Sequence, residues 1–320
     1  MSRVQASLKA AAAWRWWEIA LGIVALGSLF LAGNHALLLN EIAILALFAV
    51  SLDLILGYAG IVSLGHAAFF GFGAYVAGLF AKYVMPDPLV GLVVAVGASA
   101  LLGALCSVLV LRGSDLTRLM VTLGVAAVLY ELANKLDVTG GADGLQGVVM
   151  GPLLGRFEFD LYGRTAYAYS LVMLVIVVLI ARRIVHSPFG YSLKALRDNR
   201  LRATSVGLSV NMRLAAVYTL AAAFAGCAGG LLAQTSGFAS LDGLDFHRSA
   251  DVMLALVIGG TGYLYGGIFG AIAFKLLHDL ISSWTPQYWT FWLGLFLVVL
   301  VMVGRNRLIR PWTWFKRGRS

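Results

Sequence analysis

Long apolar stretches recur along this chain, and short polar or glycine-rich segments divide them. The first covers residues 17–32 and the second 37–56, where Gly57-Tyr58-Ala59-Gly60 interrupts the run before a third at 61–80. Pro86 and Pro88 mark a turn into a fourth stretch at 89–111, and Arg112 and Arg118 flank a tight loop into a fifth that ends near Asn134. A loop over 135–163 leads to the sixth at 164–180, and a basic segment over 182–213 leads to the seventh at 214–233. Two segments broken by Gly259-Gly260-Thr261-Gly262 and Gly266-Gly267 make the eighth and ninth, and the tenth covers 288–303. An apolar run of about 20 residues is what a helix needs to cross a bilayer. The pattern therefore predicts an all-α, polytopic transmembrane bundle of about ten spans, forming a single domain over residues 1–320.

Composition fixes the solvent. The chain is 60% hydrophobic and only 12% charged, with a mean hydropathy of +0.87. A soluble domain carries about a quarter charged residues, so too little polar surface remains here to coat a globule in water. The net charge of +9 does not point to nucleic acid, because Lys and Arg fall in short segments between or beyond the apolar runs. Alternate loops differ in sign. The N-terminus, the Arg112/Arg118 loop, 182–213 and the tail from Arg305 are basic. Asp87, the 135–163 loop and the Asp242/Asp245 loop are acidic or mixed. Basic loops stay inside, so both termini are expected in the cytoplasm and the 135–163 loop in the periplasm. The N-terminal stretch after Arg3, Lys9 and Arg15 loosely resembles a signal peptide and is read as a retained first helix. Cys106 and Cys227 sit in apolar runs without a CxxC or Cys/His cluster, so neither disulfide nor metal is indicated.

Between the sixth and seventh stretches, Pro188 and Gly190 are expected to stop the span. Residues 191–206 then read as one short amphipathic helix, with Leu193, Leu196, Ala203 and Val206 at helical spacings and Lys194, Arg197, Arg200 and Arg202 supplying charge. Gly207 suits a left-handed end, and Asn211 suits a cap for the next span. Such a helix is equally a lever for a soluble partner and a basic helix lying on anionic lipid.

Four segments resemble the branched-chain amino acid ABC permease family, and within it the LivM-type subunits. They are Gly190, Ala195, Arg197, Ala203 and Gly207 in the strap, the run from Gly57 to Gly71 with Ser63-Leu64-Gly65-His66 inside it, Thr139-Gly140-Gly141-Ala142-Asp143-Gly144-Leu145, and Gly259 to Gly267. In order and spacing they cover residues 41–304. The resemblance implies a non-enzymatic permease subunit of a bacterial inner-membrane ABC importer. It implies a second permease subunit, two cytoplasmic ATPases that hold the ATP and Mg, and a periplasmic solute-binding protein. Residues 191–207 would be the coupling helix, with Gly190, Leu193, Ala195, Leu196, Arg197, Arg200, Ala203 and Gly207 as its ATPase-coupling positions. The substrate implied is a branched-chain amino acid, although related permeases carry urea, amides or small carboxylates.

The glycine breaks have a physical reading of their own. Irregular backbone at membrane depth survives only where protein or a water-filled cavity satisfies it, and paired breaks in the two halves of a transporter mark its pathway. Gly57, Gly60, Ser63, Gly65, His66, Gly260, Gly262 and Gly266 are pathway candidates on this reading, with a weak internal repeat. Tight turns on the cytoplasmic side fit the breaks equally well. Ser63 and His66 stand three apart without a third catalytic member, so capping and packing outweigh a hydrolytic pair. Asp53, Glu131 and the group Lys275, His278, Asp279 are ionisable residues inside apolar runs, which by default suggests function. Lys275 and Asp279 have the spacing of a mutual pair, and Asp53 and Glu131 suit inter-helix hydrogen bonds. A stand-alone ion-coupled carrier using Asp53 or Glu131 is the alternative function. Asp143 and Asp160, in the outer loop, are candidates for docking the binding protein. Ala222, Gly226 and Gly230, four apart, predict close helix packing in the seventh span.

Overall fold

The computed structural model describes residues 16–298 apart from 32, 114, 161, 285, 286, 289, 290, 293 and 297. The basic N-terminal residues, the basic tail and most of the tenth expected span lie outside the described residues.

Eleven α-helices of six residues or more are present among the described residues. α1 is Trp16–Leu31 and α2 is Ala36–Asp53, the latter continuing as a π-helical turn over Leu54–Tyr58. α3 is Ala67–Tyr83, α4 Pro88–Val110, α5 Asp115–Lys135 and α6 Arg164–Val185. Two short helices follow, α7 over Pro188–Asp198 and α8 over Arg200–Ser205. α9 is Val210–Ser236, α10 Phe246–Gly259 and α11 Gly266–Trp284.

Ten spans were expected, and five described helices are long and apolar enough to cross a membrane: α2 with its extension, α4, most of α5, α6 and α9. At 1.5 Å per residue, the 23 residues of α4 reach about 35 Å, enough for a hydrocarbon core of about 30 Å. α1 and α3 contribute shorter apolar helices, Ala20–Leu29 and Ala67–Tyr83. The breaks account for the shortfall at the third and eighth spans, and the tenth lies mostly outside the described residues. Unwound chain over residues 60–66 removes the start of the third expected span, and Gly260 ends α10 after only 14 residues. The two breaks are also built differently. One is a π turn followed by irregular chain, the other a pair of glycines at φ +96° and +79°. They do not establish the expected internal repeat.

α9 is the axis of the bundle and packs against α2, α3 and α4. The small residues predicted to permit this do so. A Cβ on Gly226 would run into Ser99 of α4, one on Gly230 would meet Leu92 of α4 at 3.0 Å, and Ala222 faces Gly103 of α4; Gly229, which the spacing did not single out, lies against the Phe70 carbonyl of α3. α2 forms a second hub with α6, α9, α10 and α11 on it. α1 is fastened to α6 by a buried ion pair, in which Arg182 Nη2 donates to Glu18 Oε2 at 3.0 Å.

Loops gather at two ends. The 135–163 loop returns onto its neighbours: Leu145 pairs with Ala239, Val148 N donates to the Gly237 carbonyl and Gly151 N to the Pro86 carbonyl. The acidic and mixed loops after α3, α5 and α9 thus share one end. The π turn after α2, the strap α7–α8 and the start of α9 share the other, as the contacts below establish.

Candidate functional site

The strap is two helices, not the single one expected. Asn199 leaves helical conformation at φ −159° and ψ 105°, and its Oδ1 accepts from Arg202 N at 2.9 Å to start α8. Asn is a strong N-cap, so a mid-strap Asn restarts the helix instead of continuing it. Pro188 takes the first position of α7 behind its Ser187 cap, where a missing N–H costs nothing. α6 has already ended at Val185. Gly190 lies so close to the Val185 carbonyl that a side chain there would collide with the end of α6. Gly207 is left-handed at φ +85°, as expected. Asn211 is not the cap of the next helix, because α9 begins one residue earlier with Ser209 at the cap position.

The strap turns its apolar face inward. Leu193, Leu196 and Ala203 are buried within this chain, so the groove they fill is the bundle's own and not a partner's. What remains outward is Ala195, charge, and two large aliphatic side chains, Leu201 at 81% exposure and Val206 at 77%. Arg200 is half-buried. Arg213, in the first turn of α9, donates to Ser192 Oγ and clamps the strap to the span that follows.

Arg197 carries the most informative contact. Its Nη1 donates to the Gly57 carbonyl, the group that the π turn leaves without a helical partner. A Cβ on Gly60 would meet Arg197 Cγ at 2.9 Å, and one on Gly262 would meet its Nη1 at 2.9 Å. From the other side, Asp53 Oδ1 accepts from Gly262 N at 2.7 Å. A Cβ on Gly57 would strike both that carboxylate and Gly262 N. Both glycine breaks therefore converge on Arg197 and Asp53, and only glycine at 57, 60 and 262 leaves room for the guanidinium and carboxylate. Lys194 adds a second grip, its Nζ standing 5.3 Å from the Tyr58 ring centre. Sequence reading gave Lys194 only as a charge on the strap and counted Arg197 among the ATPase-coupling positions, a role that looks outward and not toward the bundle. The inward contact explains the difference, since an unsatisfied carbonyl at a helix break is a strong local acceptor.

The other candidates separate. Gly65 abuts the Thr122 backbone, and Gly266 abuts the Gly259 and Gly260 carbonyls, so both mark close chain crossings. His66 is fully buried and stacks on Phe48 at 5.5 Å. Its Nε2 lies 2.9 Å from Ser51 Oγ, whose own proton goes to the Phe48 carbonyl at 2.6 Å. Nε2 is thus the donor, and this hydroxyl is not poised as a nucleophile; Ser63 is buried nearby on the irregular segment. Glu131 is exposed on α5. Lys275 reaches Glu41 of α2 at 2.6 Å and its expected partner Asp279 only at 3.9 Å. At the opposite end Asp143 is exposed, whereas Asp160 Oδ1 accepts from Thr165 N at 3.1 Å and holds the start of α6.

A cavity of about 260 Å³ opens between α2, α10 and α11, closed on its remaining sides by Phe70 of α3 and Leu232 of α9. Glu41, Arg248, Asp251 and Lys275 bring charge to it, and His278 an imidazole. Glu41 lies early in α2, Arg248 and Asp251 early in α10, and Lys275 midway along α11. The glycine junction lies at the other end of each of these helices, so strap and cavity are separated along the bundle.

Similarity to known proteins agrees with this architecture. The profile of the family described as branched-chain amino acid transport system / permease component matches residues 34–304. The high-affinity branched-chain amino acid transport system permease protein LivM of Salmonella typhimurium is 30% identical over 83% of this chain and 68% of its own length, and LivM of Escherichia coli K12 gives the same figures. The fructose import permease protein FrcC of Rhizobium meliloti is 26% identical over 89% of this chain and 81% of its own. No solved structure matches. With most of its length under one family profile, and with two glycine breaks gripped by a basic strap, the chain is a transport subunit and not an enzyme, and it belongs to the permease components of branched-chain amino acid transport systems.

Proposed function

We propose that this chain is one of two transmembrane subunits of an ATP-driven (ABC) importer in a bacterial inner membrane, carrying branched-chain or related hydrophobic amino acids. The observation that carries the reading is the strap: two short helices on the basic end, seated on both glycine breaks through Arg197. A surface element tied to helix breaks is suited to turn a push from a soluble partner into movement of α2, α10 and α11. Two cytoplasmic ATPases, with their ATP and Mg, would press on the outward face around Leu201 and Val206. A periplasmic binding protein would deliver solute at the opposite end, where Asp143 is exposed. Asp53 Oδ1 accepts from Gly262 N, Glu131 faces outward, and neither lines the charged cavity, so neither favours an ion-coupled carrier.

Purified in detergent with its cognate ATPases co-expressed, the tagged chain is expected to retain them and to show hydrolysis that rises with loaded binding protein. Failure of any ATPase to co-purify overturns the reading. Orientation is tested separately with single cysteines, because native Cys106 and Cys227 are both buried. A periplasmic thiol reagent should label a cysteine at Ala142 and spare one at Thr204, both exposed positions at opposite ends. The reverse pattern would invert the proposed topology.

A further inference from the structure

The strap and the breaks say nothing of the solute, whereas the cavity at the far end of α2, α10 and α11 is built in a way that does. Glu41, Ile44, Leu45 and Phe48 recur every three or four residues on α2 and present one helical face to it. Arg248 and Asp251, three apart on α10, share a face in the same way. Two carboxylates and two basic side chains thus meet in one cavity whose other walls include Phe48, Phe70 and Phe274. The charges are not all tied up in contacts with one another, although Arg248 and Asp251 act on each other electrostatically. Lys275 is taken by Glu41 at 2.6 Å, while Arg248 holds a buried Nε with no hydrogen-bond partner and places its guanidinium carbon 5.8 Å from the Phe70 ring centre.

Ionisable groups among apolar helices are costly and persist where they serve a pathway. A solute bearing one charge would upset the balance that Arg248 and Asp251 hold between them, and a neutral sugar would engage neither charge. A zwitterion compensates each. Resting on the reading of the chain as an importer subunit, we propose that this cavity is a solute site for a zwitterionic α-amino acid with an apolar side chain. Arg248 receives the carboxylate, Asp251 receives the ammonium group, and the Phe48, Phe70 and Phe274 rings receive the side chain. The volume suits a small solute, since it falls just below the range of about 300–1,000 Å³ typical of ligand pockets.

Full-length chain in lipid nanodiscs, titrated with radiolabelled L-leucine in equilibrium dialysis, tests this directly. Saturable binding is expected, with 3-methylbutylamine (no carboxylate) and 4-methylpentanoate (no ammonium) competing at least about tenfold more weakly, the cost of one lost charge-assisted contact. Arg248→Gln should weaken leucine about tenfold and leave 3-methylbutylamine unchanged, and Asp251→Asn should weaken leucine and leave 4-methylpentanoate unchanged. Because each variant keeps one analogue as an internal control, misfolding is not mistaken for a lost contact. Absence of saturable leucine binding, or equal competition by all three compounds, overturns the site. If the assembled importer takes up leucine normally with both substitutions, the site is wrong and the importer reading stands. Displacement by D-fructose, with uptake of fructose in place of leucine, overturns the site and the amino acid reading together.

Discussion

Arg197→Glu should abolish solute uptake while the chain still inserts in the membrane in normal amount. The wild-type guanidinium donates to the Gly57 carbonyl and interacts electrostatically with Asp53, which in turn holds Gly262. A hydrogen bond from a charged group is worth about 1.5–3 kcal/mol, and the lower end applies because part of Arg197 remains exposed. Charge reversal adds repulsion against both the carbonyl and the carboxylate. Together these disconnect the strap from both breaks, and a loss of about 1.5 kcal/mol is already more than tenfold in coupling. The spans themselves do not depend on this contact. The ATPase should therefore still co-purify, with hydrolysis no longer linked to uptake. Leu201→Glu is the contrasting variant. Leu201 is 81% exposed on the outward face, so this change should release the ATPase itself. Normal uptake by the Arg197 variant would remove the strap-to-break contact from the mechanism.

Gly229→Val should prevent stable accumulation of the chain. At this crossing of α9 over α3, a Cβ would overlap the Phe70 carbonyl oxygen and approach Ala74 N to 3.1 Å. Backbone atoms cannot swing aside as a side chain does, so two central helices must separate. Overpacking a core costs about 1–3 kcal/mol, and a clash with backbone at the axis of the bundle belongs at or above the top of that range. Gly97→Val on α4 is the matched control, since a Cβ there meets nothing within 4 Å. Thermal unfolding in detergent, read by retention of a monodisperse peak, should show Gly97→Val near wild type and Gly229→Val absent or strongly lowered. Equal behaviour of the two would mean that α9 and α3 are not in the contact described.

Much of the architecture is legible in the chain itself. Apolar runs fix the membrane solvent and the long helices, because backbone groups in hydrocarbon must be satisfied within the segment and only helix does so locally. The starts and stops of α4, α6 and α9 fall within a few residues of the composition changes, for the same reason. The glycine breaks are visible too, as is the left-handed turn at Gly207, since φ-positive backbone favours glycine irrespective of what surrounds it. Partnership was not legible. Nothing local to Arg197 indicates that a carbonyl 140 positions earlier has lost its helical partner, and spacing alone gave Lys275 to Asp279 when α2 brings Glu41 closer. Nor does the amphipathic pattern of the strap say whose groove its leucines fill. Local propensity and periodicity decide which backbone forms. Which charges meet is decided by helix packing, where residues far apart in sequence are brought within hydrogen-bonding distance, and both the junction at Arg197 and the charged cavity exist only at that level.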